Sequence, residues 1–132
     1  MLSIDVRDFD LITSSRGHAT GDRVLNFVAR TARENLRQMD FFARCGNDEF
    51  LAVLPTASEE TAQEVVERIG TEFRGRKLQI EGIDPIEVRL NFGWAVFGKD
   101  GETAKELLAM ARARRGSSFA NGRQSTVLMF RK

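Results

Sequence analysis

Phe41-Phe42-Ala43-Arg44-Cys45-Gly46-Asn47-Asp48-Glu49-Phe50-Leu51-Ala52-Val53-Leu54 is the stretch on which the fold turns. It holds two short β-prone runs, 41–45 and 49–54, separated by three turn-forming residues, a spacing that predicts a tight hairpin with an exposed tip. Upstream, Val24, Leu25, Val28, Ala29, Ala32, Leu36 and Met39 recur at three- and four-residue steps, so a helix is expected over 22–39 with the Asp22 carboxylate favoured at its start. Before it, residues 8–21 read as a polar loop, and Leu2-Ser3-Ile4-Asp5-Val6 alternates as a half-buried strand does. Downstream, Ser58 caps a helix with Ala62, Val65, Val66, Ile69 and Phe73 on its apolar face, and Gly75 closes it. Strands over 77–80 and 86–96 form a pair about a turn at Asp84-Pro85. Thr103 opens a further helix carrying Ala104, Leu107, Leu108 and Ala111, which Gly116-Ser117-Ser118 interrupts before a last strand over 126–130. This order predicts an α/β chain of the α+β kind: a central, mostly antiparallel sheet with flanking helices, ferredoxin-like, in one domain.

The 132 residues, 42% of them hydrophobic, suffice for one core and are too few for two ordinary domains. Twenty basic and 19 acidic side chains leave a net charge of +1, so no whole-molecule field draws in nucleic acid or an anionic membrane, and an anionic ligand must be held by a local cluster. The single cysteine, Cys45, cannot form an internal disulfide, and the start lacks a secretion signal. No apolar run approaches the roughly 20 residues that cross a bilayer. A cytoplasmic setting is the expectation, including that of the cytoplasmic part of a larger signalling protein.

Asp5 at the end of the first strand and Asp48-Glu49 at the hairpin come together if their strands are neighbours. Hard divalent cations take such carboxylates, commonly one or two from the protein with phosphate oxygens completing the shell. Turns and strand ends are also ordinarily rich in solvated aspartate, and spacing alone favours that reading.

The run Arg44-Cys45-Gly46-Asn47-Asp48-Glu49-Phe50 resembles the Arg-Tyr-Gly-Gly-Asp-Glu-Phe hairpin of the GGDEF family, the diguanylate cyclases. Asp5-Val6, Phe9, Ile12, Gly17-His18 and Gly21-Asp22 are similar to the family's first-loop segment without a gap. Phe92-Gly93-Trp94-Ala95 resembles its Ile-Gly-Val-Ala strand, and Gly122-Arg123 its Gly-Arg-Asn element. The resemblance runs in order from Asp5 to about Phe130. It implies a domain that pairs with a second copy, each holding one GTP with Mg²⁺, to form cyclic di-GMP by positioning and charge neutralisation. By position, Asp5 and Asp48 would hold the metal with the Val6 carbonyl, Glu49 would be the second signature acid, and Asp22 would help read guanine, with His18 beside it and Arg123 on the phosphates.

The sequence departs from the family pattern where substrate should be held. The phosphate-contacting lysine of the first loop is Asp10, a repulsive charge beside a triphosphate. The guanine-pairing asparagine is Thr13, which cannot make a two-point amide contact. Asn47 replaces the hairpin's second glycine; asparagine tolerates a left-handed turn but fills space near the nucleotide. Phe119 stands at the position of the lysine that reaches the triphosphate. Together these substitutions predict weakened GTP binding.

A second cluster matches. Arg37-Gln38-Met39-Asp40 is similar to the family's Arg-x-x-Asp inhibitory site for its own product, and Arg68 falls where a further arginine joins it. Arginine forks suit phosphates and the Hoogsteen edge of guanine, whereas an unmatched Arg and Asp at a helix end are usually solvated surface. Three functions follow as expectations: a degenerate domain binding cyclic di-GMP at Arg37, Asp40 and Arg68; an active diguanylate cyclase using Mg²⁺; or a non-binding module that homodimerises or docks on a neighbour such as a phosphodiesterase domain. Relatives usually carry a segment and helix before the first strand, and here Met1 starts almost on that strand, as in an excised fragment or a chain whose partner supplies cover.

Overall fold

The alternation at the start becomes the centre of the sheet. In the computed structural model, which describes residues 1–121, β1 (Leu2–Val6) lies between β3 (Glu49–Val53) and β6 (Leu90–Trp94), with β2 (Phe41–Cys45) beyond β3. The strand order is β2-β3-β1-β6 and every pairing is antiparallel. Leu2, Ile4 and Val6 face a core shared with Phe50, Ala52, Phe92 and Trp94, while Ser3 and Asp5 point to the opposite face. Two helices cover the first face. α2 (His18–Glu34) contributes Val24, Leu25 and Val28, and α3 (Glu59–Arg74) contributes Val65, Val66, Ile69 and Phe73. Ser58 caps α3 by accepting from the Thr61 amide, and the Gly75 amide closes it onto the Thr71 carbonyl.

Residues 8–21 are not a loop. α1 (Phe9–Arg16) and the first turn of α2 occupy them, separated at Gly17, whose φ of +95° stops one helix before the next starts. The polar residues that read as loop instead satisfy themselves: the Thr13 hydroxyl donates to the Asp10 carbonyl, and Ser15 to that of Leu11. Phe9 is buried, and Gly21 lets the two helices close up, since a Cβ there would meet Thr13 Cγ2 at 2.6 Å. α2 also ends at Glu34 rather than 39, because the chain turns into the Arg37–Asp40 contact described below.

The pair expected from 77–80 and 86–96 is two separate arrangements. β4 (Leu78–Ile80) pairs with β5 (Ile83–Ile86) in a small sheet of its own, turning at Glu81-Gly82, and β6 joins the main sheet. Asp84 and Pro85 lie within β5; proline is tolerated there because a two-stranded ribbon leaves an edge that needs no N–H donor. α4 (Ala104–Asn121) starts with a capping box, Thr103 Oγ1 accepting from the Glu106 amide and Glu106 Oε1 accepting from the Thr103 amide. It continues through Gly116-Ser117-Ser118, which are weak helix formers but not breakers; none is proline. The strand expected over 126–130 lies outside the described residues.

Candidate functional site

Asp5 and Glu49 are cross-strand partners on β1 and β3, so the first strand and the signature hairpin do bring their carboxylates to one sheet face. The hairpin loop is Gly46-Asn47-Asp48, and its left-handed residue is Gly46 at φ +82°, not Asn47, so the asparagine is not held there by backbone need. The Arg44 guanidinium donates to the Asn47 carbonyl at 2.8 Å, and the Asp48 carbonyl accepts from the Val6 amide at 3.2 Å. Asn47 is exposed at the tip, and Asp48 is half-buried.

Sequence reasoning missed the partners of these acids. Arg112 donates from Nε and Nη2 to the two oxygens of Glu49, both at 2.8 Å. Arg115 donates from Nη1 to Glu49 Oε2 and to Ser3 Oγ, and its Nε lies 3.3 Å from Asp5 Oδ2. The Ser3 hydroxyl donates to Glu49 Oε2 as well. Hydrogen bonds from Arg112, then from Arg115 and Ser3, outweigh the cost of burial and hold the Glu49 carboxyl down at about 2. Burial pushes the Asp5 carboxyl above its ordinary value and the Asp48 and Glu49 charges add to this, against Arg115 and Asn91. Asp5 Oδ1 is buried with no hydrogen-bond partner among the described residues. The only signal in the sequence was the three-residue spacing of Arg112 and Arg115; that their helix rests on the strand carrying Gly93 is a tertiary fact.

The other residues of the expected nucleotide site lie on α1 and α2. Asp10 is exposed on α1 and Thr13 half-buried. His18 and Asp22 are both exposed in the first turns of α2. Phe119 falls on α4, and Arg123 lies outside the described residues.

At the far end of α2, Arg37 binds Asp40 as a fork. Nη2 lies 2.8 Å from Oδ1, Nε lies 3.1 Å from the same oxygen, and the Arg37 amide donates to Oδ2 at 2.7 Å. The Asp40 side chain is 1% exposed and that of Arg37 44%, so the aspartate is an internal anchor and the guanidinium is the part that meets solvent. Burial pushes the Asp40 carboxyl up, but the Arg37 side-chain and backbone hydrogen bonds prevail and leave it below its ordinary value. Arg68 crosses from α3 to the same helix end, donating to the Asn35 carbonyl at 2.6 Å.

The family model described as "Diguanylate cyclase, GGDEF domain" matches residues 1–124. The chain belongs to the GGDEF domain family. It is 33% identical over 128 residues to diguanylate cyclase A of Treponema denticola, an alignment covering 97% of this chain and 34% of that protein. It is 32% identical to diguanylate cyclase DgcP of Pseudomonas aeruginosa over 118 residues, 85% of this chain and 17% of the relative. The GGDEF domain of YfiN (TpbB) from Pseudomonas aeruginosa superposes with a TM-score of 0.86 at 30% identity, covering 92% of this chain and 75% of that one. The chain thus spans 34% and 17% of the length of these two curated relatives.

The family normally uses Mg²⁺, for which Asp5, the Val6 carbonyl and Asp48 are the expected ligands. The Glu49 side chain beside them does not fit one. Both oxygens of Glu49 are occupied by guanidinium donors, Arg115 also reaches Asp5, and among the described residues no three His, Cys, Asp or Glu side chains are grouped to hold a metal ion. Among the described residues, no helix is long and apolar enough to cross a membrane.

Proposed function

We propose that this chain is a degenerate GGDEF domain in cyclic di-GMP signalling, weak or inactive as a cyclase, that binds cyclic di-GMP through Arg37 and Arg68 with Asp40 holding Arg37 in place. The observation that carries the catalytic half is the pairing of Glu49 with Arg112 and Arg115, which commits a signature acid to the fold. Asp10 and Thr13 weaken the same cleft from α1 by charge reversal and by loss of an amide contact. The binding half is supported by the Arg37–Asp40 fork and by Arg68 at the same helix end. Two exposed guanidinium groups there suit a phosphodiester or the guanine Hoogsteen edge. Asp40 then acts by orienting Arg37 rather than by accepting from the ligand, because its oxygens are already engaged. The setting is cytoplasmic, and the partner is a second copy or a neighbouring signalling domain such as a phosphodiesterase.

Calorimetric titration of cyclic di-GMP tests this reading. Binding in the micromolar range or tighter that is lost in Arg37→Ala is the expected result. A folded protein with no binding, or binding indifferent to Arg37→Ala, contradicts it. An active cyclase with Mg²⁺ is the second reading, favoured by the pairing of Asp5 with Glu49 across β1 and β3 and by the diguanylate cyclases among the relatives.

A further inference from the structure

Arg115 reaches the carboxylates because α4 lies unusually close to the sheet. A Cβ on Gly93 of β6 would collide with the Ala111 carbonyl oxygen and the Arg115 amide, so glycine is what allows the helix to rest on the strand there. Arg112 and Arg115 are then neighbours on one face of the helix, above β1 and β3. One guanidinium, Arg115, spans carboxylates on two adjacent strands: Asp5 Oδ2 at 3.3 Å and Glu49 Oε2 at 2.5 Å. Arg112 grips Glu49 from the other side.

That is the position and charge of a bridging cation. Two guanidinium groups bring two positive charges to Asp5 and Glu49, as a divalent ion would, and they use directional N–H donors where an ion would use open coordination sites. A second cation entering the same space would meet Arg115 a few ångströms away, and it would find the Glu49 lone pairs already taken. We propose that the Arg112–Arg115 pair is a built-in substitute for a divalent cation: it neutralises Asp5 and Glu49 from within the chain and excludes metal from the cleft. This rests on the reading of the cleft as degenerate and not on the Arg37 site, and no nucleotide enters its test.

Electron paramagnetic resonance of Mn²⁺ titrated with the chain decides it, with near-UV circular dichroism recording the fold. The unaltered chain leaves Mn²⁺ in its free, six-line form. Arg115→Met binds one Mn²⁺ about tenfold more tightly or better, and that gain disappears in the Arg115→Met/Asp5→Asn double variant. Where Arg115→Met fails to fold, Arg115→Gln, which keeps a hydrogen-bond donor for Glu49, takes its place with the same expectation. Mn²⁺ binding by the unaltered chain that is lost on Asp5→Asn overturns the proposal. So does a folded Arg115 variant that binds Mn²⁺ no better than the unaltered chain.

Discussion

Glu49 titrates near 2 because Arg112, Arg115 and Ser3 all bond its ionised form. Its folded value lies below the ordinary 4.5, so the unfolded chain takes up the proton first as pH falls. The stabilisation is therefore complete above about pH 4.5 and is lost as pH falls towards 2. Asp5 works in the opposite sense: its raised value means that protonation in acid relieves a burial cost. Urea unfolding as a function of pH should show an acid limb that flattens in Glu49→Gln, with that variant less stable at neutral pH by about 1–3 kcal/mol. An unchanged acid limb would mean that the arginine contacts contribute nothing to stability. None of this was readable from the hairpin sequence, which announces an acidic tip but not the helix that meets it from about 60 residues further along the chain. Asp40 is a similar case. The Arg37-x-x-Asp40 spacing was legible, whereas the burial of the aspartate and its service to Arg37 depend on how the chain leaves α2.

The hairpin, the capped α3 and the central first strand were legible because each follows a local rule: turn residues between β-prone runs, a serine before an apolar period, alternation. The elements misread were those whose signal is tertiary. α1 has little amphipathic pattern, and it forms around Phe9 and the close approach at Gly21. α4 passes a Gly-Ser-Ser run that propensity would end. Its seat on the sheet also includes Arg114, paired with Asp100 at 2.9 Å and donating to the Trp94 carbonyl. Gly93→Val should push α4 off β6 and cost about 1–3 kcal/mol or more, read as a lower urea midpoint, where Ser58→Ala on α3 should cost about 1 kcal/mol. A Gly93→Val protein as stable as the parent would show that the helix does not depend on this approach.

The chain as a whole keeps the GGDEF framework while redirecting its acids. The sheet still places Asp5 opposite Glu49, but the charges that answer them come from α4. On the proposed reading, the negative charge of Asp10 on α1 acts in the same direction as the arginine network. The two expected ligand regions differ in kind: the cleft is filled by intramolecular ion pairs, and the end of α2 presents Arg37 to solvent. The most direct measurement is incubation of the chain at high concentration with GTP and Mg²⁺, with cyclic di-GMP quantified by chromatography against Glu49→Ala. The account predicts little or no product above the level of that variant, at most a single turnover per domain. Cyclic di-GMP formed over many turnovers by the unaltered chain and abolished in Glu49→Ala would contradict it and make this an active cyclase.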